Sequence, residues 1–97
     1  MTIEKKQENT TLTMALIGRL DTTTAPELEA EVKKLDGVTD LFFDFADLEY
    51  ISSAGLRVLL TAQKIMGGQG RMVLRNVNET IRDVFEITGF ADILTIE

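Results

Sequence analysis

Two neighbouring hydroxyl side chains, Ser52 and Ser53, stand where a polar connection gives way to an apolar helical pattern. The first N–H groups of a helix have no partner within the helix and carry partial positive charge. A serine at this point can cap the helix or, once phosphorylated, place its phosphate on those N–H groups. Gly55 has no side chain, so another chain or a nucleotide phosphate could approach the backbone there. The segment therefore predicts either a plain helix cap or a phosphorylation site within a docking surface.

The composition narrows the chemistry that this segment can carry. The chain has no cysteine and no histidine, which excludes disulfides, thiolate nucleophiles, zinc sites of the Cys/His type and histidine bases. Its formal net charge of −6 disfavours nucleic acid and anionic lipid as main partners. Its apolar runs are far shorter than the roughly 20 residues that span a bilayer, and no leader-like segment opens it. We therefore expect a cytoplasmic protein without membrane insertion.

The hydrophobic pattern predicts one α/β domain over residues 1–97, with the element order β-β-α-β-α-β-α-β. A dense apolar run at residues 41–45 predicts a strand that is buried on both faces, within a mixed sheet covered by helices. Thr24 and Glu27 fit a capping box, while Asn78 and Gly89 fit the two ends of the third helix. The predicted strands span residues 2–6, 12–17, 41–45, 71–75 and 93–96, and the predicted second helix spans residues 54–66.

The connection between the third predicted strand and the second helix is the expected place for a site, because binding sites in open sheets cluster at such junctions. Asp44, Asp47 and Glu49 lie close together in this region. Carboxylates in a polar loop are usually just solvated, and magnesium usually needs a bound phosphate as well, so we predict no metal site. Arg57 lies four residues after Ser53 on the same helical side. It either contacts a phosphoserine or a partner, or is an ordinary exposed arginine.

Six segments spread over nearly the whole chain carry a family resemblance. They are Gly18-Arg19-Leu20-Asp21, Thr24-Ala25-Pro26-Glu27-Leu28, Asp44-Phe45-Ala46-Asp47-Leu48, Ile51-Ser52-Ser53-Ala54-Gly55-Leu56, Val77-Asn78 and Thr88-Gly89-Phe90. In these segments the chain resembles the STAS domain of the bacterial anti-sigma factor antagonist family. The serine–glycine–leucine segment at a strand-to-helix junction is the most specific of the six.

The resemblance implies a regulatory binding module and not an enzyme, with no cofactor. Such a domain binds an anti-sigma factor that is also a serine kinase and thereby frees a sigma factor. Phosphorylation of one serine ends the binding, and a PP2C-type phosphatase restores it. In register with Gly55, the modified residue is Ser53; Ser52 is the runner-up and stands where the family usually has an aspartate. The implied partner surface comprises Asp21, Asp47, Ser52, Ser53, Ala54, Gly55, Leu56 and Arg57.

Two other functions stay open on the sequence. A domain that resembles this family can also be a regulatory subunit of a lipid-transport or other partner-switching complex that contains no sigma factor. A small hydrolase or nucleotide-binding enzyme is disfavoured, because the chain lacks histidine and cysteine. Its glycine-rich segment at residues 67–70 follows a helix and precedes a strand, whereas a phosphate-binding loop runs from a strand into a helix.

Overall fold

The computed structural model describes residues 1–97 as five strands, three helices and a short 3-10 turn. The strands are β1 (Thr2–Glu8), β2 (Thr11–Leu20), β3 (Asp40–Asp44), β4 (Leu48–Ile51) and β5 (Arg71–Arg75). The helices are α1 (Ala25–Val32), α2 (Ser53–Gly67) and α3 (Glu79–Thr88), and the 3-10 turn spans Phe90–Asp92.

A five-stranded mixed sheet forms the middle of the fold, and this confirms the predicted α/β class. β1 and β2 pair antiparallel. β3 pairs parallel with both β2 and β5, which gives the order β1-β2-β3-β5. β4 lies off this path and pairs parallel with the last residues of β2, beyond a register shift between Gly18 and Arg19. The carboxyl ends of β2 and β4 are thereby brought side by side.

Two elements differ from the predicted order. The sequence prediction misses β4, because its buried residues Leu48 and Ile51 enclose two exposed ones and break the two-residue alternation of a half-buried strand. The predicted final strand over residues 93–96 is reduced to a single parallel bridge between Ile96 and Leu74. The 3-10 turn after α3 occupies Phe90–Asp92, so only residues 95–97 reach β5.

All three helices pack on one face of the sheet. Alternate residues of β2, β3 and β5, such as Met14, Phe43 and Leu74, point to this face and are fully buried. They join a core of 24 buried residues that includes Leu28 and Val32 of α1 and Leu35, which follows the end of that helix. Burial of these apolar side chains is the main force that holds the helices on the sheet.

The other face of the sheet carries no helix, yet its central residues Phe42 and Val73 are buried. The guanidinium groups of Arg71 and Arg75 lie over the Phe42 ring, 5.2 and 3.9 Å from its centre. Arg71 also contacts Asp40 at 2.6 Å, and Arg75 contacts Glu97 at 3.2 Å. The prediction that β3 is buried on both faces is thus confirmed, but arginine side chains rather than a helix cover the second face.

We expect Arg75→Ala to lower the free energy of unfolding by about 1 kcal/mol, because the Phe42 ring loses its nearest cation and part of its apolar cover. Urea denaturation followed by circular dichroism measures this change. Arg82→Ala is the matched control, since Arg82 is exposed on α3 and makes no ion pair or cation–π contact. Equal unfolding free energies for the two variants would contradict this role of Arg75.

The helix ends follow the sequence signals in one case and depart from them in another. Asn78 caps α3 as predicted, its Oδ1 accepting from the Ile81 N–H at 2.9 Å, and Gly89 ends the helix with a left-handed φ of 82°. The capping box predicted at Thr24 is wrong, because that hydroxyl makes no cap bond to α1. It donates instead to the carbonyl of Arg19 at 2.8 Å and accepts from the N–H of Asp21 at 2.9 Å.

Candidate functional site

The junction between β4 and α2 places the two serines directly beside the end of β2. Ser52 is extended, with φ −103° and ψ 176°, and is the N-cap residue that directly precedes α2. Its N–H donates to the carbonyl of Leu20 at 2.9 Å, and its own carbonyl accepts from the N–H of Leu56 at 3.0 Å. Ser53 is therefore the first residue of the 15-residue helix α2, and its position is set by the pairing of β4 with β2.

The two serine hydroxyls differ sharply in their surroundings. Ser53 is exposed. The Ser52 Oγ is buried and has no hydrogen-bond partner, and it does not cap the first turn of α2. The expectation of a capping side chain is therefore wrong here, although Ser52 holds the capping position of the backbone. The free N–H groups of the first turn keep the partial positive charge of an uncapped helix end.

Gly55 is buried and packs against the end of β2 rather than lying open to a second chain. A Cβ added at this position would lie 2.6 Å from the Leu20 Cγ, closer than carbon atoms can approach, and 3.0 Å from the Ile51 Cγ1. The open approach to the backbone that the sequence suggested is therefore absent. Leu56, another predicted partner-binding residue, is only 4% exposed and belongs to the core. Through their contacts with β2 and the core, Gly55 and Leu56 hold the first turn of α2 in place.

Asp21 organises the loop that joins β2 to α1, next to the start of α2. Its Oδ1 accepts from the Thr23 hydroxyl at 2.7 Å and from the N–H groups of Thr23 and Thr24 at 3.0 and 3.2 Å. The Thr23 hydroxyl and these N–H groups hold the pKa of the Asp21 carboxyl below its usual value. The carboxylate is thus a fixed negative charge near neutral pH, and Arg19 lies 3.7 Å away.

A shallow groove of about 330 Å³ runs between α1 and the amino-terminal half of α2. Ala54 and Arg57 line its α2 side, so two more of the predicted partner-binding residues face this groove. Arg57 is exposed and is the only basic residue in the lining, while Glu29 of α1 is the only acidic one. The full lining is Thr22, Ala25, Pro26, Glu29, Ala54, Arg57, Val58 and Thr61. The groove offers a polar surface directly beside Ser53.

The acidic residues before β4 are dispersed rather than gathered. Asp44 accepts from the Asn76 side chain at 3.0 Å and from the N–H of Ala46 at 2.9 Å. Asp47 is exposed, and its carbonyl accepts from the N–H of Gly18 at 3.0 Å. The chain holds no group of three or more side chains placed to bind a metal ion. Asp47 lies just before the start of β4, whereas Asp21 and Ser53 lie at the opposite end of that strand.

The sequence profile of the STAS domain matches residues 2–97. The chain belongs to the STAS domain family. It is 41% identical over 88 residues to BtrV of Bordetella bronchiseptica, which is named as an anti-sigma factor antagonist; the match covers 88% of this chain and 76% of BtrV. It is 30% identical over 96 residues to the anti-sigma-B factor antagonist of Bacillus subtilis, covering 97% of this chain and 88% of that protein.

Solved structures with the same fold include two forms of one protein. The anti-sigma factor antagonist SpoIIAA in its unphosphorylated form matches this STAS domain with a TM-score of 0.79, and its phosphorylated form from Bacillus matches with a TM-score of 0.77. Both are 22% identical in sequence and cover 99% of this chain, with 87% and 91% of their own chains matched. This likeness establishes the fold.

β4 of this STAS domain also makes an aromatic contact of which the sequence gives no sign. The Arg19 guanidinium lies 4.4 Å from the centre of the Tyr50 ring, and the two residues are register partners on β2 and β4. Tyr50 is 42% exposed, so this pair adds an aromatic and positively charged surface near Asp21. The pairing cannot be read from the chain, because β4 lacks a periodic pattern and its register with β2 shifts between Gly18 and Arg19. None of the three helices is long and apolar enough to cross a bilayer.

Proposed function

We propose that this STAS domain is an anti-sigma factor antagonist that works by partner switching. With Ser53 unmodified, it binds an anti-sigma factor that has serine kinase activity, and a sigma factor is released. The kinase transfers the γ-phosphoryl group of ATP to the Ser53 Oγ, with loss of the hydroxyl proton and formation of ADP, and the complex separates. A PP2C-type phosphatase hydrolyses the phosphoserine. We place this cycle in the cytoplasm.

The contrast between the two serines is the observation that carries the proposal. A kinase can reach the exposed Ser53, whereas the Ser52 Oγ is buried and cannot be reached without moving the first turn of α2. This contrast supports Ser53 as the acceptor, in agreement with its register to Gly55. The identities of 41% and 30% with proteins named as anti-sigma factor antagonists support the role of the domain.

Electrostatics supports a switch that leaves the fold intact. Phosphorylation adds a charge of about −1.5 to −2 at neutral pH. At the first residue of α2 this charge meets the free N–H groups and the positive end of the helix, both of which stabilise an anion. An interface that packs closely on Ser53 would instead bury or crowd the same charge, at a cost of several kcal/mol. The modification therefore removes the partner without unfolding the domain.

The proposed partner surface is the rim of exposed and half-buried residues around Ser53. It includes Asp21, Ala54 and Arg57, and it extends along the groove between α1 and α2. Asp47 lies farther along, at the start of β4, and is proposed as an outlying contact. We assign Ser52, Gly55 and Leu56 the role of holding this rim in place, because the Ser52 Oγ, Gly55 and the Leu56 side chain are buried.

Incubation with each serine-kinase anti-sigma factor of the source organism and ATP, followed by mass spectrometry, tests this proposal. We expect one phosphate, on Ser53, in the wild type and in Ser52→Ala, and none in Ser53→Ala. Phosphate on Ser52 alone would overturn the choice of acceptor. Absence of phosphate with every such kinase would contradict the switch and favour a STAS subunit of a complex without a sigma factor.

A further inference from the structure

Asn78 joins α3 to β4 through the oxygen and the nitrogen of its side-chain amide. Its Oδ1 accepts from the N–H of Ile81 at 2.9 Å and caps α3. Its Nδ2 donates to the carbonyl of Leu48 at 3.0 Å, and the two residues are 30 positions apart in the sequence. A cap alone needs only the oxygen. The nitrogen therefore performs a separate task, which is to hold the first residue of β4.

Apart from the burial of Leu48 and Ile51 in the core, β4 has few other restraints. It is four residues long and pairs with β2 alone, across a register shift. No strand lies along its other edge, where Asn78 makes its bond. The strand leads directly into Ser52, and the Ser52 N–H is bonded to Leu20. A displacement of Leu48 would therefore reach the first turn of α2 through a very short segment.

We propose that Asn78 is a positioning residue for the phosphate acceptor, and that its bond to Leu48 sets where β4 delivers Ser53. The acceptor role itself rests on the function proposed above. Phosphoryl transfer depends mainly on placing the acceptor oxygen in line with the leaving group, so a small displacement of Ser53 lowers the rate strongly. Of the proposed rim, Asp21 lies on the loop after β2, and Arg57 lies one turn beyond Ser53 on α2, where the neighbouring Val58 and Leu59 are buried in the core. Both should therefore keep their places.

Asn78→Asp separates the two tasks of the amide by changing one atom. An aspartate oxygen still accepts from the Ile81 N–H, and its charge favours the start of α3. The second oxygen cannot donate and would face the Leu48 carbonyl oxygen, which leaves that acceptor unpaired. α3 should therefore stay capped while β4 loses its outer restraint. Asn78→Ser, which keeps a cap but is too short to reach Leu48, is the second variant should the aspartate chain not fold.

Amide hydrogen exchange of the free protein, followed by NMR, tests the structural half of the proposal. We expect the Ser52 N–H to exchange at least about tenfold faster in Asn78→Asp, while amides in α3 change by less than about twofold. Unchanged exchange at Ser52 would overturn the proposal. Equal acceleration in α3 and at Ser52 would also overturn it, since Asn78 would then serve only as a helix cap.

Steady-state phosphorylation by the kinase that modifies the wild type tests the functional half. We expect kcat to fall at least about tenfold in Asn78→Asp with KM within about twofold, because docking is intact and only the acceptor is misplaced. Arg75→Ala is the control for lost stability and should keep the wild-type kcat. An unchanged kcat in Asn78→Asp would refute the positioning role. If no kinase modifies the wild type, the proposed function fails, while hydrogen exchange still decides whether Asn78 holds the junction.

Discussion

Ser53→Asp will weaken binding of the anti-sigma factor several-hundredfold while leaving the domain folded. Burial of a fixed negative charge in a closely packed interface costs roughly 3–4 kcal/mol of binding free energy. Each 1.4 kcal/mol is about a tenfold change in affinity. The same charge is tolerated in the free protein, because Ser53 is exposed at the positive end of α2. Isothermal titration calorimetry with the purified anti-sigma factor measures the loss.

Ser53→Asn is the matched control for that substitution, because asparagine has nearly the shape of aspartate and no charge. We expect Ser53→Asn to bind within about tenfold of the wild type, since it adds bulk without charge. Ser53→Ala should bind like the wild type and accept no phosphate. Equal affinity of Ser53→Asp and the wild type would show that this corner of α2 lies outside the interface.

Gly55→Ala will lower the free energy of unfolding by about 1–3 kcal/mol, because one methyl group is forced into a filled space. Its Cβ would lie 2.6 Å from the Cγ of Leu20, a side chain with no exposed surface, so there is no easy relaxation. To relieve the contact, the first turn of α2 must move away from β2. Urea denaturation measures the loss of stability, and we expect partner affinity to fall with it.

Gly67→Ala is the control for this substitution on the same helix. Gly67 lies at the exposed end of α2, and a Cβ added there meets no atom within 4 Å. Alanine is the better helix residue by about 1 kcal/mol, so this variant should be as stable as the wild type or more so. If Gly55→Ala proved equally harmless, the packing role assigned to Gly55 would be wrong.

Much of the fold follows from local pattern. The alternation of Leu12, Met14 and Leu16 predicts a half-buried strand, and all three side chains are buried on the helix side of the sheet. Arg71–Arg75 is a strand with the predicted bounds. Asn78 and Gly89 mark the ends of α3, because capping and left-handed turns depend on single residues and their nearest neighbours. Such signals act over a few residues, so they can be read directly from the chain.

The candidate site is harder to predict from the sequence, because its properties arise from contacts between segments that are distant along the chain. The sequence places two serines at the start of a helix, but only the pairing of β4 with β2 decides which hydroxyl is buried. Gly55 suggests open backbone until Leu20, 35 positions earlier, is found against it. β4 itself has no periodic signal, and it is defined by its pairing with β2 and by the burial of Leu48 and Ile51. Periodicity and caps thus specified most of the elements, whereas burial, which depends on the packed neighbours of each atom, distinguished the exposed serine from the buried one.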